Sequence, residues 1–297
     1  MKKLLFSFFK LATRLFQGQN WGAFIPGLRP LHRFLLNTLK PRGIVETTVF
    51  GRTLFVNMRD SGEANEIIVS GQYSPYETEI FRSLLKPGMA VADIGAHIGY
   101  FTTMAVDLVG SSGRVFAFEP DPRNFELLSR SISANKFVNV IAENKAVSNK
   151  IGVETLFLDR YNLGNMSFSR QNIPADASSG SVSVPTVTLD EYFSGLPLDM
   201  IKIDVQGAES LVFEVGKKTL AKISVVLAEF WPFGLLNMGT EPRAFLEIFL
   251  RAGFSLYLLN EDAHIMKKKT ADELLSISGN RPEGKGWANI LCRRELT

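Results

Sequence analysis

Residues 91–102, with the sequence VADIGAHIGYFT, constrain the fold of this chain more than any other segment. A short apolar stretch is followed by Gly95 and Gly99, which let the backbone turn tightly and approach a ligand without obstruction by a Cβ atom. The next apolar stretch, VFAFEPD at residues 115–121, places Glu119 near its end. A strand, a glycine loop, a helix and a second strand with a terminal carboxylate are typical of a nucleotide-type site at the edge of an α/β sheet.

Apolar stretches alternate with helical patterns over most of the chain. We predict strands at residues 90–94, 114–119, 138–144, 199–204 and 224–229, and helices at 98–109, 121–135, 207–217 and 242–252. Short apolar strands separated by helices favour a doubly wound, mostly parallel sheet covered on both faces, so the predicted fold class is α/β. Residues 254–259 and 287–293 fit a closing antiparallel pair of strands, whereas residues 160–181 lack periodicity and are predicted to form a loop or lid.

The amino-terminal part of the chain does not follow this alternation. Residues 27–41 predict a short helix, residues 44–58 alternate like a β-hairpin, and residues 76–86 predict another helix. We therefore predict a basic helical extension at residues 1–43 and a single α/β domain at residues 44–297.

Residues 2–17 predict an amphipathic basic helix. Leucine and phenylalanine side chains fall on one half of a helical wheel, and only Phe6 is misplaced. The basic side chains of the other half are Lys2, Lys3, Lys10 and Arg14. Two interpretations are open: the helix packs on its own globule, or it lies in the plane of an anionic membrane surface.

The composition excludes several classes of site. Cys292 is the only cysteine and the chain has three histidines, so neither a disulfide nor a thiolate zinc cluster can form and a histidine-rich metal centre is not expected. The net charge of +3 comes from the basic first 40 residues, which argues against a nucleic-acid footprint over the whole protein. No apolar run reaches the roughly 18 residues of a membrane-spanning helix. We expect a cytoplasmic, uncleaved chain, with a peripheral location at the inner membrane face if residues 2–17 bind lipid.

Two nucleoside cofactors compete for the glycine loop. A dinucleotide favours Gly-x-Gly-x-x-Gly, because the helix N-terminus must hold pyrophosphate. In this chain Ala96 and His97 fill the loop, and the carboxylate of Asp93 before it would repel pyrophosphate. S-adenosylmethionine has no phosphate, and an acid can hold its ammonium group. The pattern Asp-x-Gly-x-x-x-Gly with the distal Glu119 therefore favours S-adenosylmethionine over a nicotinamide cofactor.

Four motifs in this order resemble those of the FkbM-type S-adenosylmethionine-dependent methyltransferases. They are DIGAHIGYFT at residues 93–102, FEP at 118–120, KAVS at 145–148 and IKIDVQGAE at 201–209. The resemblance implies a class I methyltransferase fold and methyl transfer to a hydroxyl of a saccharide, polyketide-like or glycoconjugate acceptor. The chain departs from the family pattern at His97, where Asn is common, and at Gln206, where Glu is common.

The resemblance also implies which residues hold the cofactor. Asp93, Gly95 and Gly99 match the cofactor loop of the family, and Glu119 matches its ribose-binding acid. The predicted cofactor-binding residues are Glu77, Asp93, Gly95, Ala96, His97, Gly99, Tyr100, Phe101, Thr102, Glu119, Pro120, Asn124, Lys145, Ala146 and Asp204.

Methyl transfer to a hydroxyl requires a base that removes the proton as the oxygen attacks. Asp204 ends a predicted strand where an α/β sheet opens to ligands, and it fits either this base or a helix-capping, cofactor-facing role. Glu229 ends the next strand and fits a substrate-orienting acid or a buried, paired one. His97 is the third catalytic candidate, with a hydrogen bond inside the loop as its alternative.

A metal site is not predicted, although two carboxylates plus waters could hold Mg²⁺. No close Asp-Asp or Asp-Asn pair accompanies Asp204 and Glu229. Residues 230–233 (FWPF) fit an aromatic substrate wall or a core lining. The predicted function is methyl transfer to a small-molecule or glycan hydroxyl. The alternatives are a nicotinamide-dependent oxidoreductase and a non-catalytic module that binds the cofactor or a partner.

Overall fold

The computed structural model describes residues 28–279 and 286–295, together with positions 5, 6, 8, 9, 11 and 13. Its helices are α1 (Leu28–Leu39), α2 (Glu63–Ser70), α3 (Pro75–Leu84), α4 (Tyr100–Val109), α5 (Pro122–Ala134), α6 (Leu189–Tyr192), α7 (Glu209–Glu214), α8 (Lys217–Lys222), α9 (Pro232–Asn237), α10 (Pro242–Arg251) and α11 (Ala271–Gly279). Its strands are β1 (Ile44–Val49), β2 (Arg52–Asn57), β3 (Ala90–Ile94), β4 (Arg114–Phe118), β5 (Val140–Glu143), β6 (Ala146–Ser148), β7 (Gly152–Asp159), β8 (Ser178–Thr188), β9 (Met200–Ile203), β10 (Val225–Phe230), β11 (Ser255–Asn260), β12 (Ile265–Lys269) and β13 (Ala288–Arg293).

The central sheet has eight strands in the order β12-β11-β13-β10-β9-β3-β4-β5. Strands β10, β9, β3, β4 and β5 are parallel, while β13 is antiparallel to both β10 and β11. The prediction of a mostly parallel α/β sheet closed by an antiparallel pair is therefore confirmed. The chain builds β3, β4 and β5 outward in one direction and then returns to place β9 on the other side of β3. Ligands bind at such a reversal of strand order, beyond the carboxyl ends of the strands.

Alternate residues of these strands enter two separate hydrophobic cores, as the period of two in a strand requires. Ala92 and Ile94 of β3 pack on one face of the sheet, and Val91 packs on the other. All five residues of β3 are buried. The even-numbered side chains of β3 therefore lie on one face of the sheet and the odd-numbered ones on the other. Asp93 lies on the same face as Phe101.

A second sheet lies beside the first and was not predicted. Strands β6, β8 and β7 form it in that order, with a small core that includes Leu156, Leu163 and Met166. The predicted loop at residues 160–181 is thus too long, because residues 178–181 belong to β8. The irregular part, residues 160–177, passes back towards the central sheet.

Some predicted boundaries also need correction. The helix predicted at 207–217 is two helices, α7 and α8, and the break includes Gly216, where a Cβ would lie 2.7 Å from the backbone oxygen of Val212. Helix α2 was not predicted at all. The antiparallel partners β1 and β2, by contrast, pair as the alternation indicated. Among the described residues, no helix is both long and apolar enough to cross a membrane.

The described positions of the amino-terminal segment are helical. Phe6, the one residue that the helical wheel misplaced, is buried in the hydrophobic core that also contains residues of α2 and α3. Leu5, Phe8 and Leu11 of the predicted apolar face are exposed instead. The burial of Phe6 corrects the prediction of the buried face, because the helical period alone does not show which side of the helix packs on the rest of the protein. The basic face (Lys2, Lys3, Lys10 and Arg14) lies outside the described residues. The domain boundary at residue 43 stays a prediction.

Candidate active site

Three adjoining cavities open at the carboxyl ends of β3, β4, β9 and β10. Asp204 and Gln206 line all three. The first cavity, next to Glu119, is called the donor cavity below. The second, beside α2, measures about 440 Å³, and the third, beside Trp231, measures about 310 Å³. We refer to these two as the inner and outer acceptor cavities; this name and that of the donor cavity follow the sequence prediction of a methyl donor and a hydroxyl acceptor. Asp204 therefore lies where all of them meet.

The glycine loop approaches β9 too closely for a side chain. Gly95 has a φ of +82°, and a Cβ there would overlap the backbone carbonyl oxygen of Asp204. Gly99 has a φ of +91°, and its Cβ would lie 2.6 Å from the side chain of Leu128. The amides of Gly95 and Ala96 both donate to the Phe118 carbonyl oxygen at 2.9 Å. These contacts hold an open loop against the strand ends, as a bound ligand of some size requires.

Glu119 is buried behind this loop, where its carboxylate accepts two backbone hydrogen bonds. The amide of His97 donates to Oε2 at 2.8 Å, and the amide of Asp121 donates to Oε1 at 2.9 Å. Burial raises the pKa of Glu119 to about 7, although the charge of His97 opposes that rise. Each carboxylate oxygen keeps one further acceptor position, so Glu119 can still receive a pair of hydroxyl groups.

The wall of the donor cavity comes from both sheets. Predicted residues that line it are Gly95, His97, Glu119, Pro120, Asn124, Lys145, Ala146 and Asp204. The apolar side is formed by residues of the second sheet and its loop that sequence reasoning missed: Leu156, Leu163, Met166 and Phe168. Asn124 donates to the Leu163 carbonyl oxygen at 2.9 Å and so fixes that loop to α5. An apolar slot beside a hydroxyl-binding acid suits a nucleoside.

The other predicted cofactor residues lie elsewhere. Ala96, Tyr100 and Phe101 line the inner acceptor cavity, and Glu77 lines the outer one. Asp93, Gly99 and Thr102 line none of the three cavities. The hydroxyl of Thr102 donates to Asp93 at 2.6 Å. Burial raises the pKa of Asp93.

A buried lysine links the cofactor loop to the acceptor side. Lys202 of β9 is the register partner of Asp93 and is only 4% exposed. Its Nζ lies 3.7 Å from Oε1 of Glu77, 4.0 Å from Oδ2 of Asp204 and 4.3 Å from the centre of the Phe101 ring. Burial alone would lower the pKa of Lys202, but the two carboxylates raise it above its usual value. Lys202 is therefore a fixed positive charge beneath Asp204.

Acidic side chains nevertheless outnumber basic ones among the described residues at this edge of the sheet. Burial raises the pKa of Glu77 to about 7 even though Lys202 opposes it. Burial and the charge of Asp204 raise the pKa of Glu229 well above its usual range. A cationic ligand would relieve this crowding, because opposite charge within a few ångströms favours the ionised carboxylate.

Gln206 connects the two predicted catalytic acids. Its Nε2 donates to Asp204 at 2.6 Å and to Glu229 at 3.3 Å. One oxygen of Glu209 lies within 4.8 Å of oxygens from both acids, so the three could face one cation. The carboxylate of Glu209, however, already accepts hydrogen bonds from the amides of Val205 and Gly207. The Gln206 amide bridges the remaining pair, and the prediction of no metal ligand stays a prediction.

His97 contacts a helix that sequence reasoning missed. Its Nδ1 pairs with Glu63 at the start of α2. Burial lowers the pKa of His97, but Glu63 more than reverses this and raises it to about 9. The other ring nitrogen, Nε2, is buried without a hydrogen-bond partner in the described part of the chain. His97 is thus held as a cation, with a φ of +51°.

The outer acceptor cavity combines aromatic rings with amide side chains. Tyr73 precedes α3, Trp231 and Phe233 follow β10, and Trp287 precedes β13. The amides that line the cavity are Asn162, Asn165, Gln171, Asn172, Gln206 and Asn289. Phe230, by contrast, is buried in the core and stacks on Phe245. Residues 230–233 therefore supply both a cavity wall and a core contact. The sequence analysis did not assign Trp287 to the site, because Trp287 lies far along the chain from Trp231 and Phe233.

Comparison with known proteins identifies the family. The model of the Methyltransferase FkbM domain matches residues 93–256, more than half of the chain. The chain belongs to the FkbM methyltransferase family. The matched segment contains the cofactor loop, Glu119, Lys202 and Asp204.

Two curated relatives of the FkbM methyltransferase carry informative names. This chain is 23% identical over 199 residues to the hexuronic acid methyltransferase AglP of Haloferax volcanii. The aligned region covers 63% of this chain and 74% of AglP. The chain is 28% identical over 196 residues to the 2-O-methyltransferase NoeI of Sinorhizobium fredii, and that aligned region covers 57% of this chain and 74% of NoeI. Among solved structures, TYW2 of M. jannaschii in complex with AdoMet is 15% identical with a TM-score of 0.42, covering 86% of this chain and 89% of that one.

The methyl donor of the FkbM methyltransferase is S-adenosylmethionine. The described residues fit this cofactor: the side-chain-free cradle at Gly95, the apolar slot with Glu119, and the excess of carboxylates that suits a sulfonium and an ammonium group. Family membership also decides between the cofactors considered from the sequence, in favour of methyl transfer and against a nicotinamide-dependent oxidoreductase.

Proposed function

We propose that the FkbM methyltransferase transfers a methyl group to a hydroxyl of a saccharide or another polyhydroxylated acceptor, such as a glycoconjugate or a polyketide-like product. The observation that carries this proposal is the outer acceptor cavity, which four aromatic rings and several amides line together with Asp204. Aromatic faces cover the apolar faces of sugar rings, and amides both donate to and accept from hydroxyl groups. The names of AglP and NoeI, a hexuronic acid methyltransferase and a 2-O-methyltransferase, support the same acceptor class.

In this proposal Asp204 is the base. Its side chain is 30% exposed, so an oxygen remains accessible from the acceptor cavities. Gln206 donates to Oδ1 and thereby fixes the carboxylate, while Nζ of Lys202 lies 4.0 Å from Oδ2. Asp204 would accept the acceptor's proton as the hydroxyl oxygen attacks, and the proton would then pass to solvent through the open cavity.

Neighbouring residues orient the two ligands. Glu119 would hold the ribose hydroxyls of the donor, and Glu229 would accept a hydrogen bond from a second acceptor hydroxyl. When bound, S-adenosylmethionine supplies an electrophilic methyl group on a sulfonium. The carboxylates around Lys202 favour a cation at this place more than the neutral sulfur of the product, which assists product release. His97, held as a cation by Glu63, would position the loop rather than remove a proton.

The test is the turnover of Asp204→Asn on a panel of glycosides, with labelled S-adenosylmethionine. We expect methyl transfer to fall by about 10²–10⁴-fold, the usual contribution of a general base, while S-adenosylhomocysteine binds almost as in the native protein. Asp262→Asn, in an exposed turn, is the matched control and should keep full activity. Unchanged turnover in Asp204→Asn would exclude this residue as the base. No methylation of any glycoside by the native protein would argue against the acceptor class.

We further propose that the amino-terminal segment lies on an anionic membrane surface, at the inner face of the membrane of a cytoplasmic protein. Phe6 attaches this segment to the globule, while Leu5, Phe8 and Leu11 are 48%, 64% and 57% exposed. Burying three such side chains in lipid would contribute about 1.5–3 kcal/mol each. The basic residues predicted on the same helix would add about 1 kcal/mol each near anionic lipid.

Co-sedimentation with vesicles tests the membrane proposal. The full chain should pellet with anionic vesicles, stay in the supernatant with neutral ones, and be partly released by salt. Replacing Leu5, Phe8 and Leu11 by Gln should abolish this binding. Gln at the exposed Ile151 and Val153, far along the chain, is the control. A native protein that stays in the supernatant with both kinds of vesicle would contradict the proposal.

A further inference from the structure

A basic groove lies between the end of α1 and the connection from β2 to α2. It measures about 810 Å³ and is lined by Lys40, Arg42 and Arg59, together with uncharged residues such as Thr38 and Asn57. No acidic side chain lines it. Arg42 and Arg59 are exposed and Lys40 is half-buried, so all three charges are available to a ligand.

These three cations have no acidic partner among the described residues. Elsewhere on the surface, Arg52 pairs with Asp107, and Lys150 pairs with Glu154. Like charges that converge on one groove repel each other, and in an ordinary surface nearby carboxylates relieve that repulsion. The groove lacks them, so an anion from outside the chain is the complementary partner.

The groove adjoins the acceptor side of the active site. The ammonium group of Lys40 donates to Oδ1 of Asn65 at 3.1 Å, and Asn65 lines the inner acceptor cavity with Asp204. On the other side, Arg59 is two residues before Ser61, which lines the same cavity. Acidic and basic side chains therefore occupy neighbouring cavities: carboxylates line the inner acceptor cavity, and Lys40, Arg42 and Arg59 line the adjoining groove.

We propose that the basic groove binds a phosphoryl group attached to the acceptor, so that the acceptor is a glycosyl phosphate or diphosphate. This inference rests on the proposed saccharide O-methyltransferase function. Guanidinium groups match phosphate oxygens with paired hydrogen bonds, and Lys40 adds a point charge. An acid-lined interior would repel a phosphoryl group near Asp204, while the groove attracts it. The acceptor therefore enters with its sugar inward and its phosphoryl group outward, and this polarity selects which end of the sugar reaches the methyl donor.

The phosphoryl group could come from a soluble glycosyl phosphate or from a lipid headgroup, and the experiment separates these sources. Pyrophosphate is titrated by calorimetry into the full chain saturated with S-adenosylhomocysteine. We expect binding that weakens with salt and is weakened at least about tenfold in Arg42→Gln/Arg59→Gln, because charge-assisted hydrogen bonds are lost. Lys217→Gln/Lys218→Gln removes the same charge from an exposed site elsewhere and should leave pyrophosphate affinity unchanged.

A second arm uses phosphatidylglycerol and phosphatidylcholine vesicles. If Arg42→Gln/Arg59→Gln reduces binding to phosphatidylglycerol vesicles but the native protein does not bind pyrophosphate, the groove takes a lipid headgroup, which supports the phosphoryl proposal with that source. If Arg42→Gln/Arg59→Gln and Lys217→Gln/Lys218→Gln have equal affinities for pyrophosphate and also bind the vesicles equally well, the proposal of a phosphoryl site in the groove is overturned.

Turnover distinguishes this inference from the proposed function. The native protein should methylate a glycosyl phosphate in preference to the unphosphorylated glycoside, and Arg42→Gln/Arg59→Gln should lose that preference while keeping its turnover of the glycoside. The same preference in the variant would overturn the groove proposal alone. If neither compound is methylated although S-adenosylhomocysteine binds, the proposed acceptor class fails, and the pyrophosphate titration still decides what the groove binds.

Discussion

Replacing Glu119 by Gln tests the donor site most directly. Gln has the same shape but no charge, so the ribose hydroxyls lose an ionised acceptor. A hydrogen bond to a charged group is worth about 1.5–3 kcal/mol, which corresponds to S-adenosylhomocysteine binding that is about 10–160-fold weaker. The structure adds a second cost. Glu119 accepts from the amides of His97 and Asp121 through two different oxygens, and Gln can offer an oxygen to only one of them.

One of these buried amides would therefore lose its partner, and we expect the free energy of unfolding to fall by about 1–3 kcal/mol. Calorimetry with S-adenosylhomocysteine at pH 8 measures the first effect, and urea denaturation of the donor-free protein measures the second. Glu126→Gln, on the exposed side of α5, is the matched control and should change neither quantity. Native affinity for S-adenosylhomocysteine in Glu119→Gln would refute the assignment of Glu119 to the ribose, whatever the stability change.

Further predictions concern the loop, the buried charges and pH. Gly95→Ala should lower the free energy of unfolding by more than Gly43→Ala in urea denaturation, because both have a φ near +80° but only the Cβ at Gly95 meets backbone; equal losses would contradict this. Lys202→Met should cost about 3–5 kcal/mol at pH 8 and less at pH 5.5, where Glu77 is protonated; a loss that does not change with pH would contradict this. Carboxyl groups whose pKa burial raises from 4.5 to about 7 are those of Glu66, Glu77, Glu119 and Glu209. The folded state holds their protons more tightly than the unfolded state, so stability should fall as pH rises from about 4.5 to 7, and the raised pKa of His97 extends this fall to about pH 9. Denaturation midpoints that rise with pH over this range would show the opposite linkage.

The parallel sheet and its cofactor edge could be predicted from local patterns. Strand β3 is buried at every position because both of its faces are covered, and all of its residues except Asp93 are apolar. The helices beside it repeat with a helical period. Gly95 and Glu119 were found because a tight turn and a strand-terminal acid follow from short segments of chain. Such features depend on neighbours within a few residues, which a single sequence displays.

The second sheet and helix α2 could not be predicted in the same way. Alternation in the strands of the second sheet extends over few positions: β6 has only three residues, and β8 alternates at residues 181–184 but begins with Ser and Gly and contains Pro185. Helix α2 has eight residues, too few for a clear period. Its Glu63 therefore escaped notice, although it holds the only histidine of the cofactor loop.

The sequence alone determined where the strands of the parallel sheet lie and that Glu119, Asp204 and Glu229 stand at or near the ends of three of them, since this depends on local hydrophobicity and on glycine. Tertiary structure decided which of those residues meet. Glu63 reaches His97 across 34 positions, and Trp287 joins Trp231 at the acceptor cavity only because β13 inserts between β10 and β11. The helical wheel predicted two faces for the first helix, yet burial of Phe6 depends on the position of the globule beside it. Contacts between distant segments depend on strand order and on packing, and neither can be read from the spacing of residues along the chain.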